Sequence, residues 1–311
     1  MFTRLLLIAV TFTLPAFAAD PPVRLSPDWV KGDKVEYEFT KGRERTKDGK
    51  VVLSGSTTTP VLVEVLKVGK DEVELGWTFG EVKFNDPAQA KNAQLKAMAN
   101  IMKGRQIVFT LDPAGGLTGL KNFDELQKAS KEIYDTLANV MKDGGATQAQ
   151  VDQVMAVTKG MFAKREQAEA MWLKDPAALF FPVGEKLEEG KAKETVEELP
   201  NPLGGDPFPT KRTVELTKVD AKAGTAVIRV SVAFDEKAAE KILNQTIRDL
   251  TMRLGKEPPN ADAIKGFRIT DAAEYTVSTK TGWVEKAKFA RTVKQGEDKQ
   301  TDTQEFVRKG K

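Results

Sequence analysis

The chain has 311 residues, 40% of them hydrophobic and 30% charged, enough apolar material for a large core and roughly two domains at about 150 residues each. His and Cys both stand at zero, which excludes Ser-His and Cys-His nucleophile pairs, ordinary zinc and copper sites, haem ligation through imidazole, redox dithiols and disulfides. The 48 Lys+Arg and 45 Asp+Glu nearly cancel and are mixed along the chain, as in Gly69 to Glu74, so they read as a solvated surface and nucleic acid is not an expected partner.

Met1 to Ala19 carries Arg4, an apolar run from Leu5 to Val10 that resumes through Leu14, and small residues at Ala16, Ala18 and Ala19 before Asp20. This is the pattern of a secretory signal peptide, with an apolar core too short to span a bilayer. Cleavage is expected at Ala19 or Asp20, which places the mature chain in the periplasm or outside the cell, with no membrane span after cleavage.

Strands come next. Val35, Tyr37 and Phe39 alternate with Lys34, Glu36 and Glu38, the period of a half-buried strand, and Val61, Val63 and Val65 continue the pattern after Pro60. Val73, Leu75, Trp77 and Phe79 share one parity whereas Val82 and Phe84 have the other, which predicts a break at Gly80. A helix is then predicted from Asp86-Pro87 to Gly104, with Leu95, Met98, Ile101 and Met102 as its apolar stripe. After another strand, a helical hairpin is predicted from Asn122 to Trp172. Its first arm presents Leu126, Ala129, Ile133, Leu137 and Val140, Gly144-Gly145 breaks it, and Thr147 with Gln150 caps the second arm, which carries Val151, Val154, Met155, Met161 and Phe162.

The second half repeats the grammar of the first. Residues 29–36 correspond to 181–188 at an offset of 152, Val63 to Val68 to Val214 to Val219 at 151, and Phe84 with its following helix to Phe234 with a helix ending at Gly255. Phe109 to Phe123 then corresponds to Tyr275 to Phe289, with Gly116 on Gly282, at an offset of 166 that one insertion around Pro258-Pro259 explains. Four pieces in one order predict a duplicated strand, hairpin, helix, hairpin unit. The expected organisation is a signal peptide at 1–19, a first sheet-helix unit at 20–121, the helical hairpin at 122–172 and a second unit at 173–311.

Catalytic signatures are sparse. Lys280-Thr281-Gly282 matches one triplet of penicillin-recognising serine enzymes, but no Ser has a Lys three residues later, so the match reads as a turn. No phosphate-cradling or dinucleotide-binding glycine motif and no calcium loop occurs. Glu36, Glu38, Glu72, Glu74, Glu188 and Glu189 qualify for a glycosidase-type carboxylate pair by residue type alone, and most lie on the polar parity of strands. Apolar side chains at strand and helix spacing form core first. Where a curved sheet is roofed by a helix, however, Trp77, Phe79, Met98 and Met102 are the residues expected to line an apolar cavity.

The signal-like start, Gly32-Asp33-Lys34, Phe180-Phe181-Pro182-Val183-Gly184-Glu185 and Thr281-Gly282-Trp283 together resemble a family of exported bacterial proteins described only as a domain of unknown function. The resemblance implies no activity and no functional residues. In architecture the layout is also similar to the curved-sheet lipoprotein carriers of the Gram-negative periplasm, which hold acyl chains under a helical roof. The sequence thus predicts an exported α+β protein of two related curved antiparallel sheet-plus-helix units with a helical hairpin inserted between them. Its expected function is non-enzymatic and free of cofactor or metal: carriage or sensing of an apolar ligand such as a lipid. A module that docks another envelope protein is the alternative, and a carboxylate-based hydrolase the third reading.

Overall fold

A computed structural model describes residues 23–113, 115–161, 165–199, 201, 205–253, 257 and 266–310. The signal-peptide segment with its cleavage point, Phe162, Gly255 and Pro258-Pro259 lie outside the described residues. In chain order the elements are β1 (Val23–Arg24), β2 (Lys34–Lys47), β3 (Lys50–Val68), β4 (Val73–Phe79), β5 (Lys83–Phe84), α1 (Pro87–Lys91), α2 (Ala93–Ala99), β6 (Gln106–Leu111) and β7 (Leu117–Leu120). The helices α3 (Phe123–Asp143), α4 (Gln148–Met161), α5 (Arg165–Trp172) and α6 (Lys174–Phe180) follow. The chain then returns to strands with β8 (Lys186–Leu187), β9 (Ala192–Leu199), β10 (Phe208–Asp220) and β11 (Thr225–Phe234), crosses α7 (Glu236–Arg253), and ends in β12 (Phe267–Ser278), β13 (Val284–Gln295) and β14 (Asp298–Lys309).

One 12-stranded antiparallel sheet organises the molecule, in the order β7-β6-β4-β3-β2-β14-β13-β12-β11-β10-β9, with β5 paired to β3. The alternation on β2 and β3 explains which face is covered: Val35, Tyr37, Phe39, Val61, Val63 and Val65 are buried, while Lys34, Glu36 and Leu62 point away. The sheet curls strongly. Trp77 on β4 and Phe306 on β14 have two strands between them, about 14 Å on a flat sheet at ~4.8 Å per strand, yet their rings stand 5.9 Å apart. The concave face holds the core, with Phe180 from α6 touching Phe109 of β6 and Trp283 beside β13.

The helices differ from the sequence reading in two places. The helix predicted to Gly104 divides at Asn92, which ends α1 and then accepts a hydrogen bond from the Leu95 N–H to start α2, and it stops at Ala99, short of Ile101 and Met102. The helical segment also runs past Trp172, because α6 carries it to Phe180. Its hairpin turns at Gly145, with φ of +87°, and Thr147 and Gln150 exchange capping bonds ahead of α4. Asn122 ties the start of α3 to β6: its Oδ1 accepts from Val108 N–H and its Nδ2 donates to Gln106 O.

The halves on either side of the helical segment share a strand order, β2-β3-β4-β6-β7 and β9-β10-β11-β12-β13, each with its helix between the third and fourth strands. Both helices lie over the concave face: a Cβ at Gly55 would meet Gln89 of α1, and Ala239 and Leu243 of α7 pack on Phe208. Irregularities recur as well. β3 shifts register between Val65 and Lys67, and β10 between Leu216 and Lys218, the same step at an offset of 151. The β6-β7 and β12-β13 hairpins shift at Thr110/Leu111 and Thr276/Val277.

Two of the sequence correspondences change. Lys186–Leu187 pairs with Val23–Arg24, and the place matching β2 is taken by β9, because it is β9 that pairs with β10. In the hairpin loops Leu111 faces Leu117 and Val277 faces Val284, so the second loop is one residue longer and Gly282 matches Gly115 rather than Gly116. Both glycines have positive φ, +93° and +71°.

Gly282 shows why that residue is glycine. A Cβ there would stand 2.7 Å from Ser26 O, whereas Gly32, with φ of +95°, has nothing within 4 Å. Gly32→Ala is expected to cost about 1–2 kcal/mol from backbone conformation alone, and Gly282→Ala at least about 1 kcal/mol more because the clash adds to it. Equal losses in urea unfolding midpoints would show that the Gly282 turn yields freely.

Candidate ligand-binding trough

The register of the central strands builds the concave face in rungs. The deepest of three is apolar: Phe39, Phe306, Ala287, Tyr275 and Ile228 lie in line across β2, β14, β13, β12 and β11, and Phe39 and Phe306 stack at 4.0 Å. The next is mixed, with Lys41, Gln304, Phe289, Ala273 and Val230. The third carries Arg43, Asp302, Arg291 and Asp271, charges of alternating sign on four adjacent strands, followed by Val232.

Apart from Tyr275, which reaches the trough, the first rung is covered by the core beneath α6, while the second and third face an open-sided trough of about 780 Å³. Ala177 and Lys174 of α6 and Phe181 form one wall, Gln89 of α1 closes one side, and Arg212, Val230 and Val232 form the other. Tyr275 holds α6 in place, its hydroxyl donating to Ala178 O at 2.9 Å.

Cross-strand pairing lets the charged rung stand on a concave face. Arg291 grips Asp271 in a fork, Nε at 2.7 Å and Nη2 at 2.5 Å, and this hydrogen bonding, outweighing desolvation, raises the guanidinium's affinity for its proton. Arg43 donates to Asp302 at 2.5 Å through Nε alone. Partial burial opposes ionisation of Asp302, but bonds from Arg43 and Gln300 and the charges of Arg43 and Lys174 prevail and hold its carboxyl below the usual range. Lys41 bonds Asp175 at 2.8 Å, and Arg212 pairs with Glu197 at 2.7 Å while lying over the Phe181 ring.

The residues predicted to line a cavity sit elsewhere. Trp77 is fully buried against Phe79 and Phe306, and its indole N–H meets no acceptor among the described residues. Phe79 and Met102 are partly buried against the same core, and Met98 of α2 is half-buried. None of the four lines the trough. The relation between the two places is nevertheless close. With Val65 matching Leu216, Trp77 and Phe79 face Val63 and Val61 as Val230 and Val232 face Val214 and Arg212. The predicted positions thus fall in the half whose large rings fill the space, and their small counterparts line the trough. The carboxylates singled out by type are dispersed: Glu38 pairs with Lys309, Glu72 with Lys121 and Glu188 with Lys191.

No family model and no curated protein sequence matches the chain. Among solved structures it is similar to one described as lipid-protein interactions in lipovitellin, at 9% identity and a TM-score of 0.42, over 91% of this chain and 26% of that one. The chain therefore spans about a quarter of that protein's length. It is also similar to DynF from the dynemicin biosynthesis pathway of Micromonospora chersina, at 9% identity and a TM-score of 0.20, over 98% of this chain and 92% of that one. Scores this low do not establish a shared fold.

Tyr275 and Tyr37 report on how dry the core beside the trough is. Burial pushes both phenols far above their ordinary value, for Tyr37 against the opposing charge of Arg308, and burial also raises Tyr134. Unfolded phenols ionise near pH 10. Above that pH the unfolded chain binds fewer protons than the native one, so stability falls as pH rises. An ultraviolet titration should show Tyr37 and Tyr275 ionising only with alkaline unfolding; three phenols titrating near pH 10 in a folded protein would contradict the buried face.

Proposed function

We propose that this chain is an exported binding protein that carries or senses an apolar or amphipathic ligand in the trough, without catalysing a reaction on it. The observation that carries the reading is a cavity of about 780 Å³ on the concave face of the sheet, beside its buried apolar core. Ligand sites run roughly 300–1,000 Å³, whereas ordinary interiors leave few voids larger than a water. Phe181, Phe289, Tyr275, Val230 and Val232 give it apolar walls.

The same residues support a site that binds rather than catalyses. The carboxylates in the trough, Asp271 and Asp302, are held by arginines, and the Asp302 carboxyl is shifted down. A general acid working near neutral pH needs the opposite shift. The reading includes export to the periplasm or beyond, on the pattern of residues 1–19, and kinship with the exported family of unknown function that the chain resembles. It also includes origin of the two halves by duplication, supported by their common strand order, helix position and matching register shifts.

Ala177 is exposed and stands on the trough wall. Ala177→Trp should lower the affinity for the neutral probe Nile red by at least about tenfold, while unfolding free energy changes by no more than about 0.5 kcal/mol, as for other surface substitutions. A wild-type protein that takes up no probe, or a variant that binds it unchanged, refutes the trough as a binding site.

Export has its own test. Amino-terminal sequencing of protein recovered from the envelope fraction should begin at Ala19 or Asp20. An intact Met1 on that material would remove the signal-peptide reading.

A further inference from the structure

We infer that the ligand of the trough is an amphiphile with an anionic head, the head seated between Lys174 and Arg43 and the apolar chain lying along Phe289, Phe181 and Val232. This rests on the trough being a binding site and adds the chemistry of what enters it. The two ends of the cavity differ. Lys41, Arg43 and Lys174 gather where β2 meets the first turn of α6, whereas over β11, β12 and β13 the lining is Val230, Val232, Ala273 and Phe289, with Arg291 and Asp271 bonded to each other beside them.

The charge balance favours an anion. The cavity is lined by five cations, Lys41, Arg43, Lys174, Arg212 and Arg291, against the carboxylates Asp271 and Asp302. Asp175 and Glu197 answer two more of the cations, on Lys41 and Arg212. One positive charge is left over, and Lys174 is the residue with no ion pair among the described residues, although its charge is felt at Asp302. Arg43 spends only Nε on Asp302, which leaves both Nη groups without a bond to the described residues. A carboxylate or phosphate head would complete both donors, at a place where an alcohol head offers no charge and an ammonium head is repelled.

Competition with bound Nile red separates this inference from the reading beneath it. Dodecanoate, dodecyl phosphate, dodecanol and dodecylammonium share a chain and differ only in the head. Dodecanoate and dodecyl phosphate should displace the probe at concentrations about tenfold lower than dodecanol, one charge-assisted contact's worth, with dodecylammonium weakest. Added salt should weaken the two anions and leave dodecanol unaffected. Lys174→Met and Arg43→Gln, each confirmed as folded by its melting curve, should each shrink the preference for dodecanoate over dodecanol severalfold. Dodecanol competing as well as dodecanoate, or both variants keeping the full preference, overturns the anionic head while leaving a trough that binds apolar chains. If neither the probe nor any of the four compounds binds, the binding site itself falls and the inference with it. A phosphate preferred over the carboxylate, or the reverse, identifies which anion the donors fit.

Discussion

A curled antiparallel sheet must fill its concave face, and everything else in this molecule depends on how far that filling goes. Near α6 the Phe39 and Phe306 rings stack, Trp77 and Phe289 meet Phe306 edge-on, and Phe180 comes down from α6 onto Phe109. Rings in edge and offset contact give about 0.5–1.5 kcal/mol each beyond the area they bury. One rung further along the strands the filling stops, and the next rung is charged. There the concave face carries Arg43, Asp302, Arg291 and Asp271, whose partners are supplied by the neighbouring strands. A lone charge facing a low-dielectric concavity would be expensive, but an alternating row neutralises itself in place. The ladder therefore lets the face stay open to solvent without unpaired charge, and Phe289 stands at the boundary, one edge on Phe306 and the other on the cavity.

The strand order shows how the two halves share one sheet. Each is a meander that runs in the same direction across it, and β14, which has no counterpart after β7, joins β13 to β2. In the first half the chain leaves β7 for α3 instead of adding a further strand. Its helical segment and β8 then lead from one edge strand, β7, to the other, β9, and on the way α6 lies over the concave face, held by Tyr275 of β12 and Lys41 of β2. An open edge is a pairing hazard. The β7 edge is only four residues long, and β9 carries Lys193, Glu194, Glu197 and Glu198 on its eight, the short length and charge that discourage further strand addition.

The local grammar of the fold was legible in the sequence because period-two burial on β2, β3 and β4 and the turn glycines are consequences of residue type alone. Recurrence of the strand and helix pattern was visible for the same reason, yet its register was off by one at Gly116 and displaced at residues 181–188. A sequence alignment cannot tell a loop residue added in a hairpin from a strand residue, nor see that Lys186–Leu187 pairs with Val23–Arg24. The break at Asn92 was hidden because an Asn that both ends one helix and caps the next looks like an ordinary polar helix position. The trough was not legible at all. Its charged rung draws one residue from each of four strands up to 259 positions apart, and only the pairing of β14 with β2 brings Arg43 to Asp302. The signal available beforehand was weak: Arg43 and Asp302 continue the buried parity of Tyr37, Phe39 and Phe306, an unexpected place for charges.

The misplaced cavity is itself informative about how the space arises. Matching register sets Trp77 and Phe79 of β4 against Val230 and Val232 of β11, and Ile107 of β6 against Ala273 of β12. At these three places the first half carries the bulkier side chain. Interiors are packed to about 0.74 density, and a lost side chain leaves a void unless neighbours collapse into it. Collapse is resisted here because the backbone pairs of β11, β12 and β13 continue without interruption through this region, and Tyr275 anchors α6 across it. The same framework with large residues gives a solid core, and with small ones a trough. Trp77, Phe79 and Ile107 thus mark where the first half of the sheet is full, and the trough opens at the equivalent positions of the second half, where Val230, Val232 and Ala273 replace them.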